Sequence, residues 1–219
     1  RELLRVSEFA AKCSKCGAEL ESPLGCTACG TLAAPEREPT PFEVFGLAPS
    51  FALDAAQLRR KLLRLGRVLH PDYFGAADEA TRALAERNSA RLHRAHDVLA
   101  DDAARADWLV HHLGGPSENE QREMPKAFLL EVLEWNEQLE AARESAPGSR
   151  ERAALAGLES ELKQQRERAL AAVARALEPL PPRAAPTLRE ARSQLNALRY
   201  LDNTLAQIEA LALGAPSSH

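Results

Sequence analysis

From Pro41 onward, apolar residues recur at helical spacing, and prolines and glycines break the pattern into segments. "PFEVFGL" predicts a short helix ended by Gly46. Asp54 is placed to cap the next helix, which should run to about Leu69. Its Leu58, Leu62, Leu65 and Leu69 follow i, i+4, i+7, i+11 spacing and make one apolar face. Arg60, Arg64 and Arg67 share a different face, supported by Arg59 and Lys61. This helix has to stop near His70, because a residue before proline is pushed out of the α region. A further helix is predicted from Asp78 to Ala100, with Leu84, Leu92, Ala95 and Leu99 inward. A shorter one follows from about Ala103 to Leu113, stopped by Gly114, Gly115 and Pro116. Beyond "GGPSENEQRE" three long helices are expected, at about 124–145, 149–178 and 186–212. "APGS" and "PLPPRAAP" separate them, which predicts a three-helix bundle rather than an extended coiled coil. Phe128, Val132 and Leu139 are candidates for its core.

Residues 1–38 stand apart, since they hold all four cysteines. "APEREPTP" (Ala34 to Pro41) reads as a linker. The expected organisation is therefore a module at 1–38, a helical hairpin domain at 39–115 and the bundle at 116–219. Composition agrees with an all-α fold: Ala, Leu, Arg and Glu dominate the 219 residues, and aromatics are 5%. The formal net charge of −4 gives no global basic field that would point to nucleic acid. No apolar run approaches the roughly 20 residues of a membrane helix. No secretory signal is evident, and Arg1 in place of Met suggests a trimmed chain. The Ala/Arg bias points to a GC-rich bacterial genome and hence to cytoplasm, with the mitochondrial matrix as the alternative.

"CSKCGAELESPLGCTACG" sets Cys13, Cys16, Cys26 and Cys29 in two C-x-x-C turns. Each turn aims two thiolates at one ion, and two turns close a tetrahedron with no open position. That is the pattern of structural zinc, favoured over iron; two small disulfides or redox thiols are the alternatives. A short module of this kind takes much of its folding energy from the metal. Nucleic-acid binding is a weaker reading, since Lys12, Lys15, Arg1 and Arg5 are offset by Glu2, Glu8, Glu19, Glu21 and Glu36.

"RVLHPDYFG" places His70, Pro71 and Asp72 on a turn between two long helices. Taken singly these residues have structural readings: a histidine at a helix C-terminus, a proline stop and an aspartate capping a turn. A catalytic dyad or metal pair would need further polar partners, and no nucleophile is suggested nearby. The chain has no phosphate-cradling glycine loop, so it is not expected to hydrolyse ATP.

The tripeptide follows a helix with a basic face, which itself follows "FEVFGL"; in this the sequence resembles the J-domain family. The resemblance implies that His70, Pro71 and Asp72 stimulate ATP hydrolysis by a DnaK-type heat-shock chaperone. Arg60, Arg64 and Arg67 offer a positive stripe to steer toward an acidic partner surface, a solvated helix face being the alternative. From about Pro41 to Leu213 the chain is similar to one branch of that family, the HscB co-chaperones of iron–sulfur cluster biogenesis. "FEVFGLAPSFALDAAQL" and "SARLHRAHDVLADDAARADWLVHHLG" carry the likeness. Arg105 and Leu109 fit the branch, whereas His93, His96, Asp102 and Trp108 depart from its asparagine, tyrosine, proline and tyrosine. His93 and His96 are expected to pack rather than to hold metal.

"AFLLEVLEWNEQLE" resembles the branch's segment that binds the cluster scaffold protein IscU. Carried over, Leu129, Leu130, Leu133, Glu134 and Glu137 make that contact, and Tyr200 in "LRYLDNTLAQIE" joins them. Trp135, Asn136 and Pro125 vary from the pattern. What the resemblance implies is a non-enzymatic co-chaperone that delivers IscU to a DnaK/HscA-type chaperone. It does not fix the role of the zinc module, for which stabilisation or dimerisation is the expectation. A J-domain protein with another client, a zinc-knuckle nucleic-acid binder and a metallohydrolase are the rivals.

Overall fold

A computed structural model describes residues 12–212. Arg1, Glu2, Arg5 and Glu8, which enter the charge balance of the cysteine module, lie outside the described residues, as does Leu213. The described residues form seven α-helices and no sheet; two isolated bridges, Lys12 with Glu19 and Gly25 with Leu32, brace the cysteine turns. The chain divides into two compact units, one up to Arg105 and one from Ala106.

In the first unit, α1 (Pro41–Val44) starts in a capping box: the Thr40 hydroxyl accepts from the Glu43 N–H, and the Glu43 carboxylate accepts from the Thr40 N–H at 2.7 Å. Gly46 ends it at φ +57°, a left-handed conformation suited to glycine. Asp54 caps α2 (Ala55–Leu69), accepting from the N–H groups of Ala56 and Gln57. Leu58, Leu65 and Leu69 are buried, and Leu62 is half-buried at the edge of that face. Asp78 caps α3 (Glu79–Ala100). Its inward stripe is Ala85, Asn88, Leu92, Ala95 and Leu99, so Leu84 sits on the flank, half-buried, and is not the core residue expected. α3 packs against both α1 and α2. Arg105, 5% exposed, ties the corner: its guanidinium donates to the carbonyls of Phe51 (2.7 Å) and Leu99 (2.5 Å), pairs with Asp102 and lies over the Phe51 ring.

The cysteine module belongs to this same unit. The segment expected as a linker is anchored: Arg37 pairs with Glu43, and Glu38 accepts from Arg91 at 2.9 Å.

α4 (Asp102–His112) begins in the first unit and continues into the second. In the second unit α5 (Lys126–Glu144), α6 (Arg150–Leu177) and α7 (Thr187–Ala212) form the bundle. Phe128, Trp135, Leu139 and Ala142 of α5 meet Leu155, Leu158 and Leu162 of α6 and Ala197, Leu201 and Ile208 of α7. Phe128 stands edge-on to Trp135 and to Tyr200, at 5.4 and 5.9 Å between ring centroids. Trp135 is the large anchor of this core at 1% exposure, and Val132 packs only on its margin. No described helix is long and apolar enough to cross a membrane.

Candidate functional site

Three groups of residues carry chemistry. The first lies between α2 and α3. His70 ends α2 in extended backbone (φ −64°, ψ 126°), as a residue before proline must. Pro71–Phe74 then make a single 3-10 turn, which the sequence pattern did not reveal. The Asp72 N–H donates to His70 Nδ1 at 3.3 Å, and the Asp72 carboxylate lies 3.5 Å from the same nitrogen. An accepting Nδ1 leaves the N–H of a neutral ring on Nε2. Both side chains stay open to solvent, Asp72 at 87%. The turn is thus exposed, with both polar side chains open to solvent. Tyr73, 73% exposed and edge-on to His70 at 6.2 Å, adds an aromatic ring that sequence reasoning passed over.

Arg60, Arg64 and Arg67 are exposed on one side of α2, as their spacing predicts. They are not equally free. Arg64 pairs with Glu21 of the cysteine module, and Arg60 approaches Asp54 at 3.9 Å. Arg67 has no carboxylate partner among the described residues.

The second group is the cysteine cluster. All four Sγ atoms lie within 4.8 Å of one another, with Cys13–Cys29 and Cys16–Cys26 at 3.6 Å. That is far beyond a disulfide bond. It is close to the edge, about 3.8 Å, of a tetrahedron built on 2.3 Å metal–sulfur bonds. Gly17 and Gly30 follow the two turns at φ +74° and +73°, which lets each turn fold back so that its glycine N–H bonds the first cysteine's carbonyl. The Thr31 hydroxyl and N–H pull the Cys29 thiol down to about 6 against the effect of burial. The N–H groups of Cys16 and Lys15 also lower Cys13. At Cys16 the Ala18 N–H lowers the thiol, but the Cys29 sulfur, burial, Cys26 and Cys13 outweigh it and push it up to about 12. Four sulfurs this close hold a proton unless a cation sits between them, so the donor set fits a soft or borderline metal ion.

The third group is on α5. At 100° per residue, Phe128, Trp135, Leu139 and Ala142 fall within about 40° of one direction, the core. Leu129, Leu130 and Leu133 fall roughly 100–200° away and are exposed by 44%, 70% and 62%. Glu134 and Glu137, both exposed, lie beside them. Among the described residues the other large exposed apolar side chains are Leu63 and Tyr73. Tyr200 of α7 is half-buried, and its hydroxyl donates to Asn136 Oδ1 at 2.9 Å on the margin of the leucine patch. His93 is exposed rather than packed, whereas His96 is half-buried with its ring 6.5 Å from that of Phe45.

Comparison with known proteins places this arrangement. A Co-chaperone protein HscB homolog of Vibrio vulnificus is 32% identical over 175 residues, covering 79% of this chain and 98% of the relative. The chain belongs to the HscB family. A Bordetella pertussis HscB homolog is 37% identical over 128 residues, 58% of this chain and 72% of its own length. The family model described as the HSCB C-terminal oligomerisation domain matches residues 124–209, the bundle. The crystal structure of human co-chaperone protein HscB superposes with a TM-score of 0.72 at 25% identity, covering 93% of this chain and all of the human one. Chaperone HscB from Vibrio cholerae gives 0.63 at 25% identity, over 80% of this chain and 99% of its own. The all-helical HscB fold is therefore shared, and the four clustered cysteines form a metal-site geometry within it.

Proposed function

We propose that this HscB-family chain is a non-enzymatic co-chaperone of iron–sulfur cluster assembly, which binds the scaffold protein IscU and presents it to a DnaK/HscA-type chaperone. The observation that carries the reading is the α5 surface: three adjacent leucines left in water on a helix whose opposite face is fully packed. An apolar patch of this kind, flanked by Glu134 and Glu137, suits a protein partner. Leu129, Leu130, Leu133, Glu134, Glu137 and Tyr200 are assigned to the scaffold. The His70–Pro71–Asp72 turn is assigned to the chaperone, with Arg67 leading and Arg60 and Arg64 in support. Support for the second assignment is physical: Pro71 and the 3-10 turn fix two exposed polar side chains, so little ordering is lost on binding. Residues 39–115 serve as the J-domain and 116–219 as the scaffold-binding bundle. Cys13, Cys16, Cys26 and Cys29 hold a structural zinc, which supplies folding energy and leaves no open coordination position.

Capture of purified IscU by the immobilised full chain tests the reading. The parent retains IscU, and the Leu129→Asp, Leu133→Asp double variant does not, although it melts at the parent temperature. Equal retention by both would remove the scaffold assignment. Retention of another client with no affinity for IscU would leave a J-domain protein of different purpose.

A further inference from the structure

A short path of contacts joins the cysteine cluster to the turn at His70, all within the first unit. Asn88 of α3 is 0% exposed and donates both amide hydrogens, each at 2.8 Å, to the carbonyls of Leu24 and Ala33. These two carbonyls flank the second cysteine turn, where Ala33 N–H also bonds Leu24 O and Gly25 bridges to Leu32. One buried amide therefore clasps the neck of the turn that carries Cys26 and Cys29. The Asn88 oxygen accepts from Arg91, which also bonds Glu38. Leu24 is fully buried beside this clasp. At Gly25 a Cβ would meet Leu69 Cδ2 at 3.1 Å, and Leu69 is the last residue of α2, adjacent to His70. At Gly46 a Cβ would come within 2.4 Å of Glu21 O, so the module's first loop lies directly on the turn after α1.

The module has two isolated bridges and few apolar residues, so little besides a bound ion holds its two turns together. If the ion leaves, the neck is held only by its own backbone bonds and by Asn88, and opening it becomes easier. Asn88 then faces the loss of both carbonyls in a dry setting, and Leu69 loses the surface against which it packs.

We propose that the four-cysteine module is a metal-dependent brace of the hairpin, and that Asn88 and Leu69 transmit its occupancy to the order of the His70–Pro71–Asp72 turn. Asn88, 0% exposed, is thus a positioning residue. The proposal draws on the co-chaperone reading only for its consequence, so it is tested without a partner. Hydrogen exchange by mass spectrometry is measured on the full chain, zinc-loaded and chelator-stripped. Stripping is expected to speed exchange about tenfold in peptides spanning Leu65–Tyr73 and Ala85–Leu99, as befits losing a buried hydrogen bond, and to leave α6 and α7 unchanged. Asn88→Ala, with metal content still one ion per chain, should show the faster Leu65–Tyr73 exchange even when loaded. Deprotection confined to residues 12–33, or spread equally over α6 and α7, overturns the proposal. So does parent-level protection in a metal-loaded Asn88→Ala. Should that variant not fold, the stripped parent decides the question alone. Absence of chaperone stimulation by the metal-loaded parent, with the exchange result intact, would refute the co-chaperone reading and not the brace.

Discussion

Leu130 and Leu133 offer a perturbation whose size follows from where they sit. Both project from α5 away from Phe128, Trp135 and Leu139, with 70% and 62% of their surface in water. Fully burying a leucine contributes about 1.5–3 kcal/mol, so covering what remains exposed is worth about 1–2 kcal/mol for each. Truncation to alanine keeps one methyl of the contact, and the double change should therefore weaken a complex by about 2–3 kcal/mol, or about 30- to 150-fold in Kd. Folding should hardly notice, because exposed substitutions outside caps and cores usually stay within about 0.5 kcal/mol. The assay is titration calorimetry of purified IscU into the parent and into Leu130→Ala, Leu133→Ala, with thermal melting of each free chain. The expected result is a large loss of affinity at an unchanged melting temperature. Unchanged affinity would refute the patch as the interface. A drop of several kcal/mol in stability would refute the placement of these side chains in solvent.

Other predictions separate the remaining parts. Trp135→Ala should destabilise the bundle by about 3–5 kcal/mol in urea unfolding, since it empties the largest buried site of α5. Gly46→Ala should lower the stability of the first unit by about 1–2 kcal/mol or more, because φ +57° disfavours an L side chain and the added Cβ meets Glu21 O; thermal melting reads it. Hydrogen bonding from Arg37, with help from Thr40, holds the Glu43 carboxyl at about 2, below its ordinary 4.5, against burial. A depressed folded value contributes stability that is present above 4.5 and lost as pH falls toward 2. Glu43→Gln should therefore be less stable than the parent at pH 7, and urea unfolding should show the gap closing between about pH 4.5 and 2. Elemental analysis should find one zinc per chain, released by a chelator together with four titratable thiols and absent from Cys26→Ser.

The helices were legible because their signals are local. Asp54 caps where the pattern places it, the helices read as starting near residues 78 and 149 do start there, and Gly46, Pro71 and Gly114 break where they should. The cysteine cluster was legible for the same reason, since two C-x-x-C turns carry their own geometry. What escaped depends on a neighbour from elsewhere in the chain. Asn88 looks like a solvent residue until the carbonyls of Leu24 and Ala33 arrive to meet it. Leu84 seems the natural core residue, yet the inward stripe falls on Ala85 and Asn88, and Asn88 meets the module there. On α5, apolar residues occur nearly all round the helix, so spacing alone could not say that Trp135 turns in and Leu130 turns out. Family resemblance pointed to Leu130 as a contact residue, but it gave Trp135 only as a departure from the pattern, and the packing of Trp135 shows only in the folded bundle. The pairing of Arg64 with Glu21 also joins segments 43 residues apart, and no local pattern announces it.

The central claim is that this chain couples scaffold binding to a chaperone's ATPase through His70, Pro71 and Asp72. Single-turnover ATP hydrolysis by a DnaK/HscA-type chaperone, followed with IscU and saturating co-chaperone, tests it most directly. The parent should accelerate hydrolysis, and His70→Gln, at equal stability and equal IscU affinity, should not. Equal acceleration by the two would contradict the account.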